Sequence, residues 1–250
     1  LASNYNTMFL KSNENNSETV FDVEYSDGEG GGYNCLICLE GNLTPGYQGI
    51  RAYEGAFYGD GNSYNLPTQD LFSSFEYQDQ RRDATCLNLD NFISSNSAGS
   101  TYSIGGGGHT GFYNNKYIKS KAEMSGLGDN DLTSGVNYRV IRYADVLLMA
   151  AESSNRLGYD TVALEYLNLV RSRVSLPLKT FETNEKLYED ILKERRSELS
   201  CEGHRFFDLV RTGKASDVIP GFVVGKHELF PIPQDEIDLA GGNWSQNPGY

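Results

Sequence analysis

Three kinds of side chain in this sequence are spaced for chemistry: clustered carboxylates, aromatic rings on glycine-rich turns, and isolated thiols and imidazoles. Glu198 and Glu202 stand a helical turn apart with Asp208 close behind, and clustered carboxylates can do acid/base or metal chemistry. Arg195, Arg196, Arg205 and Arg211 are interspersed among them. Guanidiniums that neutralise these acids turn the same cluster into an ionic lock between helices, which is the expected role. Glu54, Asp60 and Asp70 are the acids a carbohydrate-active hydrolase would have to use, but they are isolated, whereas glycoside hydrolysis needs two carboxylates flanking one bond. No catalytic residue and no enzyme activity are expected.

The thiols and imidazoles lead to the same expectation. Cys35 and Cys38 form a lone C-x-x-C, without the second pair or nearby histidine a zinc site needs and without a βαβ pattern for redox work. Together with Cys86 and Cys201 they are too few and scattered for a disulfide framework, and whether Cys35 and Cys38 are paired stays open. His109 follows a glycine run but has no serine or cysteine nucleophile in a recognisable elbow. Asp60, Asn62 and Tyr64 offer alternate oxygens as a calcium loop does, yet the following glycine and bidentate glutamate are missing; residues 128–135 read as another turn. The glycines of residues 27–33 are followed by no helix and match no nucleotide-binding spacing. Neither a metal nor a cofactor is expected.

The aromatic rings are the more promising chemistry. Tyr53, Phe57, Tyr58 and Tyr64 flank a turn rich in glycine and asparagine, with Asp60 and Asn62 between them. A planar ring on a loop stacks against the C–H face of a sugar, and amides and carboxylates orient its hydroxyls. These six residues are the candidate ligand-binding set. For any one ring, simple packing over the helices is the competing assignment.

Stepping outward, the elements that must hold these groups are helical. Val140, Ala144, Leu147, Leu148 and Ala151 recur at spacings of three and four, predicting an amphipathic helix. Gly158 ends it, Asp160 is placed to cap the next, Tyr159 and Leu164 to staple it, and Ala163, Tyr166, Leu167, Val170 and Val174 give that helix its stripe. A third stripe runs through Tyr188, Ile191, Leu192 and Leu199, with Arg195 inside it, so that guanidinium points toward the core and requires partners. Residues 19–25 alternate as a short strand, residues 68–75 form a helix capped by Thr68, and Pro233 with Asp235 and Glu236 starts a last one. The predicted class is mainly α: tetratricopeptide-like helical hairpins, an αα superhelix, with a long irregular loop region and a few short strands. Within one domain, residues 1–137 are the loop-rich, ligand-facing part, 138–213 the hairpin and ionic-lock helices, and 214–250 an extended segment and short helix.

At 250 residues and 38% hydrophobic the chain can bury a sizeable core, and a net charge of −13 argues against nucleic acid or anionic lipid as a partner. No apolar run approaches the length of a membrane span, and the opening residues have neither a basic nor an apolar signal region.

The segments IRYADVLLMAAE, ALEYLNLVRSR, ILKERRSELSCEGHRFFDLVRTG and LFPIPQDEI, with the ending QNPGY, resemble in order the C-terminal half of the SusD/RagB family. The resemblance implies a surface lipoprotein of the outer membrane that captures a glycan and delivers it to a SusC-like TonB-dependent transporter; peptide-binding members are the alternative within the family. It implies ligand contact through loops over the helical scaffold. It also implies membrane association through a lipid anchor on an N-terminal half that this chain lacks, its opening residues resembling the middle of such a protein. The family's aromatic arc varies and often includes tryptophan, whereas the one tryptophan here is Trp244 in the tail, so no binding residue is carried over singly.

Overall fold

The computed structural model describes residues 1–29, 40–96, 99–104, 109–127 and 133–250. Cys35, Cys38 and the acids of residues 129–131 lie outside the described residues. Among those described, the strands are β1 (Thr19–Val23), β2 (Cys86–Asn88), β3 (Phe112–Asn114) and β4 (Tyr138–Arg142). The helices are α1 (Thr44–Gln48), α2 (Gln69–Ser74), α3 (Arg81–Thr85), α4 (Leu89–Asn96), α5 (Tyr143–Arg156), α6 (Asp160–Arg173), α7 (Asn184–Glu198), α8 (Arg205–Arg211), α9 (Ala215–Val218) and α10 (Gln234–Leu239). The class is mainly α, and the chain divides into two compact units, Leu1–Glu202 and Gly203–Tyr250.

In the first unit α5 and α6 form an antiparallel hairpin, and α7 packs on both. Leu147, Leu148 and Ala151 of α5, Ala163, Leu167 and Val170 of α6, and Leu187 and Ile191 of α7 bury one shared cluster. Each large side chain in it stabilises the fold by about 1.5–3 kcal/mol. Gly158 takes φ +79 between the helices, as a helix-ending glycine does. The helix start differs from expectation. Asp160 is the first residue of α6, and its Oδ1 accepts hydrogen bonds from Asn155 Nδ2 (3.0 Å) and Asn184 Nδ2 (2.8 Å), tying all three helices instead of capping one. Tyr159, expected to staple against Leu164, is 63% exposed.

Tyr138–Arg142 is also a correction: the helical stripe does not begin at Val140, because this segment is strand β4, paired antiparallel with β1. β-Branched Val140 and Ile141 favour the extended form, and the partner strand supplies the ladder bonds. The second two-stranded sheet pairs β2 with β3. Thr68 caps α2 as expected, its Oγ1 accepting from Leu71 N–H at 3.1 Å.

An ionic cluster joins the loop-rich residues to the hairpin. Glu198 accepts from Arg142 at 2.6 Å, from Arg81 at 3.0 Å and from Arg173 at 2.5 Å. Glu202 accepts from Arg142 Nε and Lys116 Nζ, both at 2.6 Å. Glu18 pairs with Arg142 and Arg173, and Glu194 with Arg81 and Arg171. Burial pushes the Glu198 carboxyl up, but Arg173, Arg142 and Arg81 outweigh it and hold it well below the usual carboxylate range. Glu198 and Glu202 therefore form a lock, with partners other than the adjacent arginines. Arg195 is buried against Asp145 of α5 at 2.7 Å, Arg196 reaches Asp70, and Arg211 pairs with Asp208 inside the second unit at 2.7 Å. Sequence neighbours on α7 point away around the helix, whereas Arg81, Lys116, Arg142 and Arg173 arrive from other elements.

In the second unit Pro233 precedes α10, with Asp235 and Glu236 in its first turn. The final residues are clamped to the extended stretch 229–232. Ile232 N–H donates to Gln246 Oε1, Gln246 Nε2 donates to the Ile232 carbonyl (both 2.8 Å), and Tyr250 donates to the Leu229 carbonyl at 3.0 Å.

Candidate functional site

The aromatic turn is built on an unusually close backbone contact. Asn42 anchors its start, donating through Nδ2 to the Val136 carbonyl (2.8 Å) and accepting from Thr44 N–H (2.9 Å), and α1 follows with Pro45 in its first turn. Residues 61–64 then run back along residues 46–50. Gly61, Asn62, Ser63 and Tyr64 donate in turn to the carbonyls of Ile50, Gly46, Gly49 and Tyr47, at 2.8–3.0 Å. The chains approach so tightly at Gly49 and Gly61 that a Cβ on Gly61 would lie 2.4 Å from Gly49 Cα. Only glycine fits there.

Other contacts pin the rest of the loop. Asp60 Oδ1 accepts from Ala52 N–H (2.5 Å) and Gly61 N–H (2.8 Å), holding Ala52 at φ +49. Glu54 and Thr101 exchange two backbone bonds of 2.9 Å, and Gly59 N–H and Lys121 N–H bond to the Lys119 and Phe57 carbonyls at 2.8 and 2.9 Å.

On this frame the six expected residues separate by environment. Tyr53 turns inward at 4% exposure, into a cluster with Ile50, Leu87, Leu89, Tyr113 and Ile118. Tyr58 is half-buried, its ring 5.6 Å from Tyr53 and 5.2 Å from Phe92, and burial pushes its hydroxyl up to about 12. Asp60 serves the turn. Asn62 is engaged through its backbone, its carbonyl accepting from Arg51 Nη2 at 2.8 Å. Phe57 and Tyr64 are 44% and 54% exposed. Phe57 rests edge-on against Phe92 at 5.3 Å, and Tyr64 lies 6.1 Å from Tyr47 with the planes 35° apart.

Tyr47 and Phe92 are the residues that sequence reasoning missed. Tyr47 is 41% exposed, and its only signal was an aromatic between two glycine-flanked turns, in PGYQG. What the arrangement offers chemically is open ring faces on a backbone that cannot readily shift, the requirement for stacking on a sugar without a large ordering cost.

Two of the three acids weighed for hydrolysis have structural work: Asp60 holds two amides, and Asp70 ion-pairs with Arg196. His109 packs 5.4 Å from Tyr102 and 6.1 Å from Tyr113, its Nδ1 buried and without a hydrogen bond from the described residues. Tyr102 donates to Asp90 at 2.6 Å; burial, with Asp90 adding to it, pushes that hydroxyl up to about 12. Among the described residues no cluster of His, Cys, Asp or Glu is placed to hold a metal ion, and no helix is long and apolar enough to cross a membrane.

Comparison with known proteins gives consistent matches. A model of the SusD family matches residues 11–223. SusD-like protein P2 of Formosa agariphila is 28% identical over 93% of this chain and 48% of its own length. A SusD-like protein of Bacteroides ovatus is 28% identical over 84% of this chain and 37% of its own. The chain thus spans about half the length, or less, of these curated relatives. Among solved structures, a laminarin-binding SusD-like protein superposes on all of this chain and 54% of its own, with TM-score 0.87 and 35% identity. Surface glycan-binding protein A from Bacteroides thetaiotaomicron, in complex with laminarihexaose, covers 99% of this chain and 55% of its own, with TM-score 0.84 and 28% identity.

Proposed function

The chain belongs to the SusD family, and from that premise we propose that it is part of a non-catalytic glycan-binding protein of the cell surface whose ligand is a laminarin-type glucan. The observation that carries the proposal is the pairing of exposed Tyr47, Phe57 and Tyr64 rings with a loop backbone pinned by tight glycine contact and by Asp60. Open rings supply the apolar face that a pyranose stacks on, and pinning keeps the entropy cost of binding small. The glucan class is suggested by relatives named for laminarin and laminarihexaose. A neutral polymer suits a chain of net charge −13.

In the whole protein, binding serves uptake: the glycan is held at the outer-membrane surface and passed to a SusC-like TonB-dependent transporter, with a lipid anchor elsewhere in the protein providing attachment. Bond cleavage has no part in this mechanism. Asp60 and Asp70 are occupied, which speaks against the hydrolase alternative.

Native electrophoresis through gels containing laminarin, a mixed-linkage glucan, starch or a mannan tests the proposal. Retardation by laminarin above the other three is expected. Uniform mobility in all four gels, or faster mobility accompanied by release of reducing sugar, would overturn it.

A further inference from the structure

Beside the aromatic loop, residues 10–12 and 120–125 enclose an open cavity of about 570 Å³, within the roughly 300–1,000 Å³ typical of small-ligand sites. Its lining is mixed in the way a sugar requires. Leu10, Ala122 and Met124 give an apolar surface, and Ser12, Glu123 and Ser125 give polar groups around it. Glu123 Oε1 accepts from Lys11 N–H at 2.6 Å, while its second oxygen accepts no hydrogen bond from the described residues. Partial burial raises this carboxyl above its ordinary value, the mark of an acceptor stripped of part of its water. Among the described residues that line the cavity the cation is Lys11, and its ammonium is already paired with Asp27 at 2.7 Å. The cavity's chemistry selects a neutral, hydroxyl-rich ligand.

The cavity adjoins the aromatic loop at Ser120, which lines it and is bridged antiparallel to Tyr58. The flanking bonds, Gly59 N–H to the Lys119 carbonyl and Lys121 N–H to the Phe57 carbonyl, make Tyr58 and Ser120 a directly opposed pair. Such a pair has Cα atoms about 4.5 Å apart and side chains on one face.

We propose that this cavity is a second sugar subsite, taking further rings of the oligosaccharide whose first rings stack on the exposed aromatics of residues 47–64, with the Glu123 carboxylate accepting from sugar hydroxyls. The inference rests on the glycan reading above and extends it from single-ring stacking to a chain-length preference.

Titration calorimetry of the full chain with laminaritriose and laminarihexaose tests it. Ala122→Trp fills the cavity, and Glu123→Gln keeps the acceptor for Lys11 N–H while removing the charge. The hexaose should lose about tenfold in affinity with the first and about ten- to a hundredfold with the second, the value of one hydrogen bond to a charged group, while the triose is unchanged. Unchanged hexaose affinity in Glu123→Gln with either normal binding or misfolding of Ala122→Trp, or equal weakening of both oligosaccharides, overturns the subsite. If the wild type binds the hexaose and Tyr64→Ala weakens it while the cavity variants do not, the subsite alone falls. If the wild type binds neither sugar, the glycan reading falls with it.

Discussion

Tyr58 and Tyr64 belong to one loop and have opposite environments, so substitution separates a packing role from a surface role. Tyr58 fits between Tyr53 and Phe92, and Tyr58→Ala should cost about 1–3 kcal/mol in urea unfolding by opening a gap there. Tyr64→Ala should change stability by less than about 0.5 kcal/mol, since more than half of the residue is in water. Equal destabilisation by both would show that the loop is not arranged as described. The same contrast exists among the ion pairs. Glu198→Gln leaves Arg81, Arg142 and Arg173 short of a buried counter-charge and should cost about 3–5 kcal/mol. Arg196→Gln breaks a solvent-exposed pair with Asp70 and should cost less than about 1 kcal/mol.

At the scale of elements, the glycine contact under α1 decides whether the rings are held. Gly61→Ala would drive a methyl into Gly49 Cα, backbone against backbone, and residues 61–64 would have to lift from residues 46–50. Faster hydrogen exchange at the Ser63 and Tyr64 amides is the expected outcome; unaltered protection would show that the contact is not what pins the loop. The hairpin was legible from sequence because Leu147, Leu148, Ala151, Ala163, Leu167 and Val170 follow helical spacing and Gly158 marks the turn. Val140 was not legible as strand, since its spacing also continues the helical stripe and only β1, far away in the chain, decides between the two forms. Similarly, the burial of Arg195 was readable from its place in a stripe, but Asp145 as its partner depends on how α5 and α7 pack. In the loop, residue types identified an aromatic turn. They carried no information on which rings face inward, because irregular backbone has no period to read, and so Tyr53 and Tyr64 looked alike.

For the first unit as a whole, the ionic cluster makes stability acid-sensitive. Glu198 and Glu202 are buried, which alone would raise them, but Arg173, Arg142 and Arg81 around the first and Arg142 and Lys116 around the second hold both below the ordinary range. The unfolded chain therefore takes up protons before the folded one does, and their contribution is complete above an unfolded value of about 4.3 and is lost as pH falls through the lowered folded values. Glu76, whose bond to Arg171 brings it to about 2, adds to the same loss. Glu14, Asp22 and Glu123, raised by burial, act in the opposite direction but are fewer in ionic contacts. The urea midpoint should fall steadily below about pH 4.3; a midpoint at pH 3 equal to that at pH 7 would contradict the lock. The proposed role of this scaffold is to hold a glycan on the rings it leaves exposed, and mobility in a laminarin gel is the direct test. The wild-type chain should be retarded, and the Tyr47→Ala/Tyr64→Ala double variant should migrate nearly as in a gel without glycan while melting at the wild-type temperature. Full retardation of a correctly folded double variant would contradict it.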